Sequence, residues 1–294
     1  MQSKPDMADV AAAVPGVTFL DEIGEGGFKV TYRADVNGSI EAAKLARIPV
    51  DVNDPDVEKT NRRRLQRELD LLAGCQTPYL VKLGNFAAYD CEIAGYQYVC
   101  YSEELVEGGC LRARIQAGHQ PDQNELATLG VCLLAAIEEL AGKDAIHRDI
   151  KPDNVMATQD AGRPFVLLDL GVAFIVGGTN LTMDTQAIPG TRWYIAPEML
   201  ELGFRQSLDY RADLYTIGLT MYEYASGVNP FADPGDPPLT TMFRIRHQNP
   251  PPLRTLRADL DTGLCALVDQ LIKKIPALRP ANLPQLIKRM EGYR

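Results

Sequence analysis

His147-Arg148-Asp149-Ile150-Lys151-Pro152-Asp153-Asn154 is followed, fifteen residues after its last member, by Asp169-Leu170-Gly171, and apolar runs that read as strands flank both. Just upstream, Asn124 to Gly142 carries a dense apolar pattern at helical spacing, as expected of a largely buried helix. Further upstream, residues 79 to 89 and 96 to 105 read as strands. A charged stretch from Val57 puts Leu65, Leu69 and Leu72 on one side of an amphipathic helix. Between Thr18 and Lys44, apolar and polar residues alternate around turn signals, with Asn37-Gly38 as a hairpin turn, so three antiparallel strands are expected there. Downstream, Tyr210 to Ser226 is another apolar helix, and Asp233 to Pro252 is broken repeatedly by proline. A strand-rich half followed by a helix-rich half, without internal repeats, gives an α+β class with two lobes and a cleft between them.

With 294 residues, 46% of them hydrophobic, there is enough apolar material for one large or two-lobed domain. The net charge of −9, from 39 acidic and 30 basic residues, argues against a nucleic-acid surface and for protein partners. Cysteines at 75, 91, 100, 110, 132 and 265 lack C-x-x-C spacing and scaffold density, which points to reduced thiols in a cytoplasmic setting and not to metal binding. Residues 1–16 lack the apolar core of a signal peptide and read as a flexible leader. No run approaches the roughly twenty apolar residues that span a bilayer, so no membrane segment is expected.

The segment 147–154 with Asp169-Leu170-Gly171 resembles the catalytic and metal-binding loops of the eukaryotic-type serine/threonine protein kinase family, and the short loops and compact chain look similar to its bacterial members. Its chemistry is mostly positioning: a carboxylate near the attacking hydroxyl, and oxygen ligands for magnesium. The resemblance implies that Asp149 orients and deprotonates the substrate hydroxyl and that Lys151 neutralises the transferring phosphoryl group. Asn154 and Asp169 would hold Mg²⁺, with Mn²⁺ as an alternative, against ATP. A lone H-R-D would more often be a polar surface loop, but the full spacing favours chemistry.

Gly24-Glu25-Gly26-Gly27-Phe28-Lys29-Val30-Thr31 resembles the family's glycine-rich cover over the phosphates, although taken alone it could equally be a glycine-rich hairpin. Lys29 stands where the third glycine is expected, and Thr31 replaces a valine over adenine. Twenty residues after Gly24, Lys44 lies on an apolar strand where an unpaired charge would be costly, and the resemblance pairs it with Glu68 on the following helix. Tyr98 to Glu107 resembles the segment that joins the lobes, with Glu104 and Val106 as hinge residues and Ile23, Ala42 and Met156 as walls around adenine. The same register puts Glu103 at the back of the pocket, where a carboxylate must be protonated or paired.

Gly190 to Glu198 resembles the substrate-docking loop, which here ends in Ala196-Pro197-Glu198. In this resemblance Glu198 pairs with Arg279, and Asp213 bonds the catalytic-loop backbone. Lys151 and Thr191 are the family's serine/threonine markers, and Thr179, Thr182 and Thr185 are candidate autophosphorylation sites. The implied activity is ATP- and Mg²⁺-dependent phosphorylation of protein serine and threonine, by an N-lobe at 17–105 and a C-lobe at 106–294. One rival is a pseudokinase scaffold, for which Lys29, Thr31 and Glu103 are the sequence reasons. Another is a small-molecule kinase, against which the Ala196-Pro197-Glu198 segment weighs.

Overall fold

The computed structural model describes residues 4–26, 29–50, 56–170, 174–175, 193–201, 203–204, 208–233 and 235–294. Gly27, Thr179, Thr182, Thr185 and Thr191 lie outside them. The chain divides into two compact units. Among the described residues, one holds 4–75 and Val81–Val106, and the other holds Gln76–Leu80 and the chain from Glu107 onward.

The first unit begins with helix α1 (Met7–Ala13), capped by the Asp6 carboxylate on the Ala8 N–H. Then come β1 (Thr18–Gly26), β2 (Lys29–Val36), β3 (Ser39–Arg47), α2 (Asp56–Ala73), β4 (Tyr89–Ile93) and β5 (Tyr96–Glu104). The strands form one antiparallel sheet in the order β1-β2-β3-β5-β4. Asn37 and Gly38 join β2 to β3 with φ of 55° and 88°, the left-handed pair that matches a tight hairpin to strand twist. One sheet face, with Val30, Tyr32, Ala43, Leu45 and Cys100, buries Val10 and Val14 from the α1 region. The other face, with Ala46, Val99 and Tyr101, takes Leu65 and Leu69 of α2.

Two expectations need correction. Residues 7–13 are not a flexible leader, because the apolar Ala/Val patch supplies two side chains that the sheet covers completely. The strand expected over 79–89 is instead a run of isolated contacts, Leu80 with Leu167 and Leu83 with Glu103, and β4 starts only at Tyr89. Lys82, Gly84 and Phe86 still share three backbone hydrogen bonds with Ser102 and Glu104 of β5, while the buried Glu41 carboxylate on β3 accepts from the backbone N–H and the side-chain amide of Asn85 between them.

The second unit contains β6 (Gly109–Cys110), α3 (Leu111–Gln116), α4 (Gln123–Ala141), β7 (Ala145–Ile146), β8 (Val155–Ala157), β9 (Phe165–Leu167), β10 (Phe174–Ile175), α5 (Arg211–Ser226), α6 (Pro238–His247), α7 (Leu253–Leu256), α8 (Thr262–Leu271) and α9 (Leu283–Glu291). Helix α5 is buried from Ala212 to Ala225, and α4 and α8 pack against it. A Cβ at Gly218 of α5 would lie 2.5 Å from the Leu271 side chain, so the absent side chain lets α8 approach. Short strands β6, β8 and β9 form a small sheet, and β7 pairs with β10. These pairings fix both ends of the segment between β7 and β8, which carries the candidate chemistry.

Candidate active site

From β7 the chain enters His147, passes through Asp149 and Lys151, and turns through a single 3-10 turn at Pro152–Asn154 into β8. The loop is held from below by Asp213, in the first turn of α5. One carboxylate oxygen accepts the His147 N–H at 2.7 Å and the other accepts the Arg148 N–H at 2.8 Å. Arg148 has a φ of 71°, a conformation uncommon for a side-chain-bearing residue, which persists where surroundings over-determine it. Complete burial pushes the Asp213 carboxyl upward, while His147 and the two N–H donors oppose that shift.

His147 is itself fully buried, and the loss of solvation pushes its imidazole below the usual range. A neutral ring fits its contacts. Nδ1 accepts from the Asp149 N–H at 3.3 Å, which leaves Nε2 as the protonated nitrogen, donating to the Leu168 carbonyl at 3.3 Å. The histidine therefore braces the two segments that carry Asp149 and Asp169.

Lys151 Nζ lies 2.9 and 2.8 Å from the two Asp149 oxygens. Asn154 Nδ2 donates to the Asp149 backbone carbonyl and to Oδ2, both at 2.9 Å. Both partners are acceptors, so the amide orientation is assigned, and its oxygen points away from them. Burial pushes the Asp149 carboxyl upward; Lys151 opposes that shift, and the charge of Asp169 adds to it. Asp169 has a φ of 59°, so both carboxylate-bearing loops have a residue in left-handed backbone.

An amide oxygen and a carboxylate are hard donors suited to magnesium, which takes few protein ligands and completes its octahedron with phosphate and water. Asn154 and Asp169 fit that requirement. Among the described residues no group of three or more His, Cys, Asp and Glu side chains could hold a metal.

Both expected anchors are present. Arg279, its side chain fully buried, donates to Glu198 through Nη1 at 2.6 Å and Nη2 at 2.8 Å. Arg112 and Glu223 were not foreseen. Arg112 of α3 bonds Glu223 of α5, the Tyr194 hydroxyl and Asp153, tying the segment at 193–198 to the loop at 147–154. An acidic residue inside the apolar run of α5 was the available signal.

In the first unit, Gly24, Thr31, Lys44 and Tyr101 stand opposite one another across β1, β2, β3 and β5. Ala42 is buried opposite Glu103, Ile23 is exposed, and Glu104 exchanges bonds with Lys82, its N–H to the Lys82 carbonyl and its carboxylate from the Lys82 N–H. Val106 ends this unit; Met156 lies on β8, in the second. The expected Lys44–Glu68 pair is not formed. Lys44 meets Glu103 at 2.7 Å, and Glu68 meets Lys29 at 2.8 Å. The reason is Glu103 itself: a carboxylate buried beside β3 takes the nearest cation on its face.

The chain belongs to the protein kinase domain family, which it matches over residues 17–289. It is 30% identical over 276 residues to the serine/threonine-protein kinase pkn2 of Myxococcus xanthus, covering 91% of this chain and 31% of that protein. It is 26% identical over 275 residues to a probable serine/threonine-protein kinase of Clostridium perfringens, covering 92% and 37%. It is 27% identical over 271 residues to the probable serine/threonine-protein kinase PknB of Corynebacterium glutamicum, covering 91% and 40%. The chain thus spans 31% to 40% of the length of these relatives. Among the described residues no helix is long and apolar enough to cross a membrane.

Proposed function

We propose that this chain phosphorylates serine or threonine on proteins, using ATP and magnesium. The observation that carries the proposal is the Asp149 carboxylate, held by Lys151 and Asn154 on a loop that Asp213 anchors. The substrate hydroxyl oxygen bonds to the γ-phosphorus as the bond to the β–γ bridging oxygen breaks. ADP departs with that electron pair, and Asp149 receives the hydroxyl proton. Lys151 balances charge on the phosphoryl oxygens. Magnesium, bound by Asn154 and Asp169, would neutralise the phosphates and align them for in-line transfer.

Serine/threonine specificity is supported by Lys151, by Thr191 and by the similarity to serine/threonine-protein kinases. We include in the proposal nucleotide contacts from Ile23, Gly24, Gly26, Gly27, Thr31, Ala42, Glu104, Val106 and Met156. Autophosphorylation at Thr179, Thr182 or Thr185 and a cytoplasmic setting are also part of it.

The test is transfer from ATP and magnesium to the chain itself and to a generic protein, comparing the native chain with Asp149→Ala and locating phosphate by mass spectrometry. Phosphoserine or phosphothreonine that requires Asp149 supports the reading. Nucleotide binding without transfer would instead favour a scaffold, the reading that the buried Lys44–Glu103 pair recommends.

A further inference from the structure

Two lysines face the same side of the five-stranded sheet, and each has its own carboxylate. Directly opposed residues of an antiparallel sheet share a face. Gly26, Lys29, Ala46 and Val99 therefore form the row nearest the β1–β2 hairpin tip, and Gly24, Thr31, Lys44 and Tyr101 form the next. Lys44 turns away from the tip, to Glu103 in the following row, with Nζ 2.8 Å from Oε1 and 2.7 Å from Oε2. Lys29, nearer the tip, places Nζ 2.8 Å from Glu68 Oε1 and 3.2 Å from the Tyr101 hydroxyl.

A lysine that serves a polyanionic ligand must be reachable from the side on which the ligand lies. Lys44 and Glu103 are buried together, with side chains 8% and 3% exposed, and drawing the lysine away would cost the Glu103 carboxylate its ion pair. Lys29 is 20% exposed and lies beside the glycines whose backbone can approach phosphate oxygens. Glu68, which orients it, sits on α2 among Leu65, Leu69 and Leu72, so its carboxylate is fixed by packing.

We propose that Lys29, and not Lys44, is the lysine that Glu68 aligns on the phosphates of the nucleotide, with Lys44 and Glu103 forming a buried ion pair deeper on the same face. The identity of the ligand rests on the kinase reading above. Two departures then have one cause. A carboxylate at 103 occupies the lysine of β3, and the lysine standing in a glycine's place on β2 takes over the helix carboxylate.

The experiment compares Lys29→Met, Lys29→Arg and the double variant Lys44→Met/Glu103→Met. It uses two readouts, titration with a fluorescent ADP analogue plus magnesium, and kcat and KM for ATP in protein phosphorylation. Lys29→Met should weaken nucleotide binding about tenfold and lower kcat/KM for ATP about 100-fold, with a lower melting temperature because buried Glu68 loses its cation, and Lys29→Arg should recover part of these losses. The double variant removes both charges of a buried pair together, so it should fold and lose about tenfold less than Lys29→Met. The proposal is overturned if the double variant loses as much as Lys29→Met or more.

Should the double variant not fold, Glu68→Gln supplies the comparison. Losses from Lys29→Met and Glu68→Gln that do not add support a shared task, and additive losses overturn it. A native chain that binds nucleotide but transfers no phosphate would remove the kinase reading, while the ADP titration still decides between the two lysines.

Discussion

Asp149 and Asp213 are both carboxylates pushed upward by burial, yet their neighbours give them different work. Asp213 spends its oxygens on two backbone N–H groups. Asp149 meets mobile donors, a lysine ammonium and an amide, which can adjust as a hydroxyl arrives. Asp149→Asn keeps the size and most hydrogen bonds but cannot take a proton. We expect transfer to fall about 10²- to 10⁴-fold with little change in melting, measured by initial rates and thermal unfolding. The same carboxyl must be ionised to act as base, so rate falls as pH drops through its pKa. With that pKa above the ordinary 3.8, the acidic limb of kcat/KM should lie above pH 3.8; a limb at or below it would show that Lys151 outweighs burial.

At the scale of elements, the sheet of the first unit is covered on both faces, by α2 on one and by α1 on the other. The α2 stripe was legible because leucines recur at helical spacing. The α1 contact was not, since Val10 and Val14 in a short Ala/Val stretch carry no period that says what they will touch. Val10→Asp would place a charge where the valine is fully buried. The loss should be at least about 3 kcal/mol, the low end for two valines of this core losing their burial. Denaturant unfolding would measure it, and faster proteolysis near residues 14–17 should accompany it. The stretch 79–89 is bonded to β5 only in part, at Lys82, Gly84 and Phe86, and alternation could not report that Glu41, distant in sequence, binds Asn85 between them.

For the molecule as a whole, one lysine of the second unit links stability to pH. Lys274 sits 3.7 Å from the centre of the Phe231 ring, and burial, with a smaller push from the Arg279 guanidinium, lowers its pKa to about 7. Its unfolded value is 10.5, so between these the unfolded chain binds more protons than the folded one, and stability rises with pH across that window. Lys274→Met should flatten this rise in urea midpoints taken between pH 7 and 10. An unchanged slope would mean that the aromatic ring holds the ammonium charged.

The segment 147–154, Asp169 and their anchors were legible in the sequence because they lie at short spacings: a carboxylate, a lysine two residues on, an amide, a second carboxylate. Asp213 beneath the loop and Arg279 against Glu198 followed from the same family pattern and are where it placed them. Strand alternation and leucine stripes likewise determined most of the sheet and α2. Only tertiary structure decided which charge meets which. Lys29, Lys44, Glu68 and Glu103 come from four separate elements, and their pairing depends on cross-strand register and on where α2 lies over the sheet. A buried ion takes the partner that geometry brings within reach, and no spacing along the chain encodes that distance.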